Sequence, residues 1–185
     1  MNTYNNFPVI ETERLKLRPV LQSDMMEIFS TFSDTEAMQF YGMEPLKSEE
    51  EAYSLIEAFE KSYKSGSAIR WGIVLKEENT LIGTCGFHNW SKSDQRTEVG
   101  YELNRKYWHQ GFMNETLRAI IHYGFNGLDF NRIAATIRPE NTSSRELIEK
   151  LGFHQEALLK EYQKADGEFY DMYVYALLKR NADLY

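Results

Sequence analysis

The sequence of 185 residues predicts an α/β fold in which helices pack on both faces of a central sheet. Around Val99, Tyr101 and Leu103, apolar side chains alternate with polar or small ones, which is the period-two pattern of a strand with one buried face. Directly afterwards, Met113 and Leu117 begin a stretch in which apolar residues have helical spacing. Because strand-like and helix-like stretches follow one another along the whole chain, a layered arrangement is predicted.

Each predicted element is a run of strand-like or helix-like spacing bounded by residues that favour turns. The strands are predicted at Arg14–Pro19, Arg70–Lys76, Thr80–His88, Arg96–Asn104, Arg132–Arg138, His154–Tyr162 and Phe169–Leu178. The helices are predicted at Asp24–Ser33, Glu49–Tyr63, Phe112–Gly127 and Ser143–Leu151. The fourth and fifth strands flank the third helix, so they should be parallel and joined by a right-handed crossover. Ligands bind such sheets at the carboxyl ends of the strands, where the strand order splits.

The composition predicts a single domain that spans residues 1–185. Of the residues, 42% are apolar, and no repeat, linker or low-complexity tract divides the chain. Neither a targeting peptide nor a membrane-spanning segment is predicted, so a cytoplasmic location is expected. The single Cys85 cannot form an internal disulfide, which agrees with a reducing compartment.

The formal charge of -7 and the pI near 5.2 bear on the binding partner. Nucleic-acid-binding proteins usually carry a basic surface, so direct binding of nucleic acid is not predicted. An acidic surface instead attracts a cationic amine or a basic peptide. No metal site is predicted, because the sequence has no metal-binding spacing and its histidines are scattered at His88, His109, His122 and His154.

The strand-to-helix junction Trp108–Glu115 contains Gly111 and has the features of an anion-binding turn. The first turn of a helix has backbone N–H groups without partners and the positive end of the helix dipole, which together favour a phosphate group. Glycine lets the backbone approach such a ligand closely. By itself this pattern is weak, because many such turns contain glycine for geometry alone. Neither of the two common nucleotide-binding glycine motifs occurs.

A second segment, Arg138–Phe153, begins with residues that favour a helix cap. Asn141 and Ser143 are both natural cap residues, and Ser143 with Glu146 has the spacing of a capping box. An apolar stripe and a terminating glycine follow, at Leu147, Ile148, Leu151 and Gly152. Alone, this segment predicts only a capped helix.

Together the two segments resemble the GNAT superfamily of acetyl-CoA-dependent N-acetyltransferases, and most closely the RimJ/RimL-like group that acetylates the N-termini of ribosomal proteins. The likeness extends from about Thr12 to Lys179. The family's pyrophosphate loop falls on Trp108, Gly111 and Met113, its Asn-x-x-Ser element on Asn141 and Ser144, and its Leu-Gly-Phe ending on Leu151, Gly152 and Phe153. The resemblance implies a mixed, mostly antiparallel GNAT sheet in which the parallel fourth and fifth strands splay apart. It also implies acetyl-CoA as cosubstrate, with its pantetheine arm in the gap.

The resemblance implies cofactor-binding residues at three places. Backbone near Glu102 and Leu103 would bind the pantetheine arm, which Asn141 would orient. The diphosphate would lie against the loop residues Trp108, His109, Gln110, Gly111, Phe112, Met113 and Asn114. In this loop Trp108 replaces the family's usual glutamine or arginine, and Met113 stands where the family prefers a small residue. The side chain of Met113 must therefore point away from the phosphates.

Glu98 is the predicted general base, since GNAT enzymes often place a catalytic glutamate on this strand. The alternative is a solvated strand charge. Strand alternation puts Glu98 on the same face as Glu102, which is the reserve candidate. The tyrosine that many relatives use as proton donor is Ile148 here, so the resemblance assigns that role to Ser144, one turn earlier.

Other polar and aromatic residues have simpler explanations. His88 at a strand end fits a polar surface better than an acceptor site. Core packing is a better explanation than an acceptor pocket for Phe40, Tyr41, Trp71 and Trp90.

These features predict an N-acetyltransferase that moves an acetyl group from acetyl-CoA to a primary amine by direct attack, with a general base. An N-terminal α-amine of a protein such as a ribosomal protein is the favoured acceptor. Deprotonating it at pH 7 costs about 1 kcal/mol, against about 4.6 kcal/mol for a lysine amine. The alternatives are a small amine (a polyamine, aminoglycoside or amino acid) and a non-catalytic acyl-CoA-binding module. Relatives commonly dimerise, so a homodimer is also open.

Overall fold

A computed structural model of the chain describes residues 6–182, which form one eight-stranded sheet flanked by helices. The predicted domain includes residues 1–5 and 183–185, which lie outside the described part. The strands are β1 (Ile10–Glu11), β2 (Leu15–Pro19), β3 (Ile69–Leu75), β4 (Thr80–Ser91), β5 (Arg96–Leu103), β6 (Arg132–Ile137), β7 (His154–Ala165) and β8 (Glu168–Leu178). The helices are α1 (Met25–Phe32), α2 (Thr35–Met38), α3 (Glu49–Ser65), α4 (Phe112–Asn126) and α5 (Thr142–Lys150).

The seven predicted strands and the four predicted helices are all present, and each end lies within three residues of its predicted position. The prediction lacks β1 and α2, because two and four residues are too few to show a period. Asp34 starts α2 by accepting hydrogen bonds from the N–H groups of Glu36 and Ala37.

The start of α5 differs in detail from the prediction. Asn141 caps this helix by accepting a hydrogen bond from the N–H group of Ser144. Ser143 lies inside the helix, so the predicted capping box between Ser143 and Glu146 is wrong. The sequence offered two adequate cap residues, and the earlier one is used.

The sheet has the order β1-β2-β3-β4-β5-β6-β8-β7, and all neighbouring strands are antiparallel except β5 and β6. From Val99 onward β5 pairs with β4 alone, so a gap opens between β5 and β6. The predicted splay of a parallel strand pair is confirmed. The parallel contact consists of three residue pairs, Arg96 with Arg132, Thr97 with Ile133 and Glu98 with Ala134.

Helices cover both faces of the sheet, as predicted. On one face, called the α4 face here, α4 and α5 pack with side chains such as Trp71 and Ile133. On the opposite face, the α1 face, α1 and α3 cover a smaller cluster that includes Val74 and Leu81. Within residues 6–182, no helix is long and apolar enough to cross a membrane.

Alternation along β5 decides which side chains reach which face. Val99 and Leu103 belong to the core of the α4 face, and Tyr101 packs against the same core. Glu98 and Glu102 occupy the alternate positions of the strand, so they project toward the α1 face. The two faces of one strand therefore carry different chemistry, apolar or hydroxyl groups on one side and carboxylates on the other.

Candidate active site

The N-terminus of α4 follows directly on the loop that leaves β5. Gly111 precedes the helix with φ 78° and ψ 0°, a left-handed conformation that glycine adopts without strain. His109, two residues earlier, also has a left-handed φ of 60°, which a residue with a side chain rarely adopts. The cap residue Gly111 has no side chain, and among residues 6–182 no other side chain caps α4. The N–H groups of its first turn, from Phe112 to Asn114, are therefore available to an anion, which the helix dipole also favours.

The two bulky residues after the glycine leave the turn clear. Phe112 and Met113 are 6% and 9% exposed, respectively, and both belong to the core of the α4 face. Met113 thus points away from the loop, as the sequence requires. At these two positions, therefore, only backbone atoms face the side of the turn where an anion would bind.

Side chains hold the loop against the neighbouring strands. Trp108 Nε1 donates to the carbonyl oxygen of Leu103 at 2.8 Å, so the indole closes the loop onto the end of β5. Arg14 Nη1 donates to the carbonyl oxygen of Gln110 at 2.9 Å. The guanidinium carbon of Arg14 also lies 4.3 Å from the centroid of the Phe112 ring. These contacts fix the path of the backbone around Gly111.

Glu115, in the first turn of α4, fastens this helix to the start of β2. It accepts hydrogen bonds from Thr12 Oγ1 at 2.6 Å, from the Arg14 N–H group at 2.8 Å and from Arg14 Nε at 2.7 Å. Burial alone would raise the pKa of Glu115, but these hydrogen bonds and the charge of Arg14 lower it below its ordinary 4.5. The carboxylate therefore stays ionised at neutral pH.

On the α4 face of the gap, Tyr101 of β5 and Ser144 of α5 form a pair whose hydroxyl oxygens lie 2.6 Å apart. Burial raises the pKa of Tyr101 above its usual value, although the hydrogen bond with Ser144 opposes this, so the phenol keeps its proton at neutral pH. Asn141 accepts from the Ser144 N–H group at 3.1 Å through Oδ1. Within residues 6–182, its amide N–H2 group has no hydrogen-bond partner and can bind a ligand.

On the α1 face of the gap, Glu98 lies at the last residue pair that joins β5 to β6. Its side chain is 21% exposed. Asn89 Nδ2 donates to Oε1 at 3.1 Å, and Thr136 Oγ1 donates to Oε2 at 3.3 Å. His88 Nε2 is 3.9 Å from Oε2. Burial lowers the pKa of His88 below its ordinary 6.5, and the Glu98 carboxylate offsets only part of this, so the imidazole is neutral at pH 7.

Glu102 has a different environment from Glu98, although both project toward the α1 face. It is 5% exposed, forms an ion pair with Arg70, and accepts a hydrogen bond from Thr84 Oγ1 at 2.6 Å. Tyr41 lies beside this pair, and burial together with the Glu102 carboxylate raises the pKa of its phenol above the usual value. Glu102 is therefore enclosed and its charge compensated, whereas Glu98 is accessible and has only neutral hydrogen-bond donors.

The structure separates the two predicted catalytic residues by the thickness of the sheet. Glu98 lies on the α1 face of the gap and Ser144 on the α4 face. Tyr101 and Thr136 are partners of these residues that no sequence motif marks. Strand alternation is the one indication in the sequence, because it places Tyr101 with the core and Thr136 on the opposite face of β6.

The splayed parallel pair of β5 and β6, with α4 after β5, is the arrangement that the resemblance to GNAT acetyltransferases implies. Residues 14–154 match the family model described as acetyltransferase (GNAT) domain, and the chain belongs to this family. It is an acetyl-transfer enzyme of the N-acetyltransferase type, and acetyl-CoA is the cosubstrate of GNAT enzymes.

Relatives extend the match over nearly the whole chain. An uncharacterized N-acetyltransferase of Bacillus subtilis, YoaA, is 39% identical over 94% of this chain and 98% of its own length. The ribosomal protein uS5-alanine N-acetyltransferase of Escherichia coli is 28% identical over 94% of this chain and 93% of its own length. The solved structure of Mycobacterium smegmatis RimJ in complex with CoA-disulfide has a TM-score of 0.87 at 22% identity, and the match covers 95% of this chain and 90% of RimJ. The predicted RimJ/RimL-like grouping is confirmed.

Proposed function

We propose that this enzyme transfers the acetyl group of acetyl-CoA to an N-terminal α-amine of a protein such as a ribosomal protein. The gap between β5 and β6 carries the proposal, because it opens directly after Glu98 and is bordered by the strand that leads to the α4 N-terminus. A relative that acetylates the alanine of ribosomal protein uS5 supports the acceptor class.

The residues around the gap fit the cosubstrate. The available N–H groups after Gly111 suit its diphosphate, together with loop backbone from Trp108 to Asn114. The unpaired edge of β5 near Glu102 and Leu103, with the amide of Asn141, suits the pantetheine arm. When bound, acetyl-CoA supplies the activated thioester, and the protein supplies orientation and proton transfer.

Glu98 is the proposed general base. An α-amine needs only a modest base at neutral pH, since its pKa is about 0.8 units above pH 7, against about 3.4 units for a lysine amine. Glu98 is reachable from solvent and is oriented by Asn89 and Thr136, whereas Glu102 is engaged by Arg70. These environments favour Glu98 over Glu102 for accepting the amine proton, directly or through a water.

Ser144 is the proposed proton donor to the departing thiolate, and Tyr101 is its partner. A serine hydroxyl is a poor acid alone, but the phenol at 2.6 Å can return a proton as Ser144 gives up its own. Ser144→Ala and Tyr101→Phe should each lower kcat by about tenfold or more, with coenzyme affinity nearly unchanged. Full activity of the double variant would remove the pair from the mechanism.

The acceptor class is tested by mixing the enzyme with acetyl-CoA and a panel of amines while following thiol release. The panel contains peptides with a free N-terminus, the same peptides with a blocked N-terminus and a free lysine, and polyamines, aminoglycosides and free amino acids. We expect turnover with the free N-terminal peptides only. Turnover confined to small amines would replace the proposed acceptor. Coenzyme A binding without turnover of any amine would contradict the transfer itself.

A homodimer remains a prediction that sedimentation can test.

A further inference from the structure

Arg138 immediately follows β6 and is 6% exposed. Its Nε donates to Gln163 Oε1 at 2.9 Å, and its guanidinium carbon lies 3.6 Å from the centroid of the Tyr170 ring. Within residues 6–182, no carboxylate lies within ion-pair distance of it. Arg138 is therefore a buried cation held by an amide and an aromatic ring.

Three partly buried arginines elsewhere in the molecule each contact a carboxylate. Arg18 is bound by Asp24 and Arg70 by Glu102. Arg132, the first residue of β6, is bound by Glu156 at 2.5 Å. Burying a charge without a counter-charge is costly, so an anion that reaches such a group gains a favourable partner. The contrast is sharp in a chain whose formal charge is -7.

The position of Arg138 relates it to the proposed base. Ile133, Ala135 and Ile137 of β6 belong to the α4-face core, so Thr136 and Arg138 project toward the α1 face. Thr136 donates to Glu98 at 3.3 Å. Two residues of extended chain span about 7 Å, so Arg138 lies about 7 Å along the chain from Thr136, the residue that contacts Glu98.

The segment after α2 closes over the same region. A Cβ at Gly42, where φ is 87°, would collide with the side-chain amide of Gln163, which is the partner of Arg138. Gln163 therefore lies against the chain between α2 and α3. Gln163 thus links Arg138 to this segment, on the face where Glu98 would receive the amine.

We propose that Arg138 binds a carboxylate of the acceptor, so that the enzyme selects amines carrying a carboxylate about 7 Å from the reacting nitrogen. An N-terminal peptide with an acidic second or third residue has this geometry, and so does a dipeptide with a free C-terminal carboxylate. The inference rests on the proposed function in one respect, namely that the amine binds beside Glu98.

Pairs of acceptors that differ in one charge test the inference. One pair is the tetrapeptide amide serine-aspartate-alanine-alanine and its asparagine counterpart, and a second pair carries the change at the third residue. A free serine-alanine dipeptide and its amide distinguish an α-carboxylate from a side-chain carboxylate. For at least one pair, the acidic member should have a kcat/KM about 10- to 100-fold higher, mainly through a lower KM.

Arg138→Gln should remove this preference while leaving kcat/KM for the neutral member within about threefold. Arg138→Lys should retain part of the preference, because a point charge replaces a planar fork. Arg132→Gln, at the start of β6, is the matched control, and it should keep the preference, since Glu156 already neutralises Arg132. Thermal melting of each variant verifies that it is folded.

Two outcomes would overturn the inference: a wild type that treats both members of every pair alike, or an Arg138→Gln variant that slows both members equally. The first needs no variant, so misfolding of a variant cannot obscure it. Calorimetric titration of the peptide pairs into enzyme saturated with coenzyme A repeats the comparison without turnover. An Arg138-dependent preference in binding, without acetyl transfer, would contradict the proposed function alone.

Discussion

The two sides of the gap between β5 and β6 are built in different ways. The proposed cofactor side consists mostly of backbone, since the turn at Gly111 presents N–H groups and the bulky Phe112 and Met113 are buried. The proposed acceptor side consists of side chains that converge from separate strands, including His88 of β4, Glu98 of β5 and Thr136 of β6.

Because of this difference, the two sides should tolerate different amino-acid substitutions. A backbone site depends on conformation, so only residues that set φ and ψ matter strongly, and the side chains around them can vary. A side-chain site depends on chemical identity at each position and on the register that brings the strands together. The following substitutions test that contrast, from the largest expected effect to the smallest.

The largest effect is expected on the acceptor side. Glu98→Gln keeps the shape and loses the base, so kcat should fall by about 10²- to 10⁴-fold, and the pH profile of kcat/KM should change. Binding of coenzyme A, measured by calorimetry, should stay the same. Glu77→Gln, at an exposed glutamate in the turn after β3, is the control. A Glu98→Gln rate within twofold of wild type would show that the acceptor side does not depend on this carboxylate.

On the proposed cofactor side, Gly111→Ala should weaken binding of coenzyme A by about 5- to 30-fold, because a residue with a Cβ leaves the left-handed conformation in the empty site and regaining it on binding costs about 1–2 kcal/mol. At saturating coenzyme, kcat should be nearly unchanged. Gly66→Ala is a matched control, since Gly66 ends α3 with a similar φ of 67°. It should lose stability without losing coenzyme affinity. Equal affinity in wild type and Gly111→Ala would contradict the backbone character of this side.

The fastening of α4 has a pH dependence. Because the pKa of Glu115 is lower in the folded chain, its stabilisation is complete above the ordinary value of 4.5 and is lost as the pH falls through the lowered value. Glu115→Gln should destabilise the protein by about 1–2 kcal/mol at pH 7, and the difference should shrink below pH 4.5. Denaturant unfolding at several pH values measures it, with the exposed Glu146→Gln as control. A difference independent of pH would contradict the role of the charge.

The smallest effect is expected at His109, whose φ is 60°. His109→Gly relieves a left-handed conformation but adds flexibility to the unfolded chain, so a net gain of about 0.5–1 kcal/mol in unfolding free energy is expected. Coenzyme affinity should not weaken, because only the backbone of this residue is needed. Weaker binding would mean that the imidazole itself contacts the ligand, and the cofactor side would then include a side chain.

The fold could be predicted because its determinants are local. Period-two and helical spacing predict the long elements, and the turn around Gly111, the proposed phosphate site, is contiguous in the sequence. The contacts on the proposed acceptor side could be predicted only in part. The sequence places Glu98 on its strand but predicts a polar surface for His88, since the proximity of His88 to Glu98 depends on the pairing of β4 with β5. The same limit applies to Tyr101 and Ser144, which are brought together by the packing of α5.

The three residue pairs that join β5 to β6 have a consequence for how the molecule responds to its coenzyme. They are the only ladder between a five-stranded half-sheet, β1 to β5, and a three-stranded one formed by β6, β8 and β7 among the described residues. An extended pantetheine chain in the gap would add hydrogen bonds along the edge that β6 leaves vacant. Amide hydrogen exchange along residues 99–103 should then slow on binding, and the melting temperature should rise with coenzyme concentration.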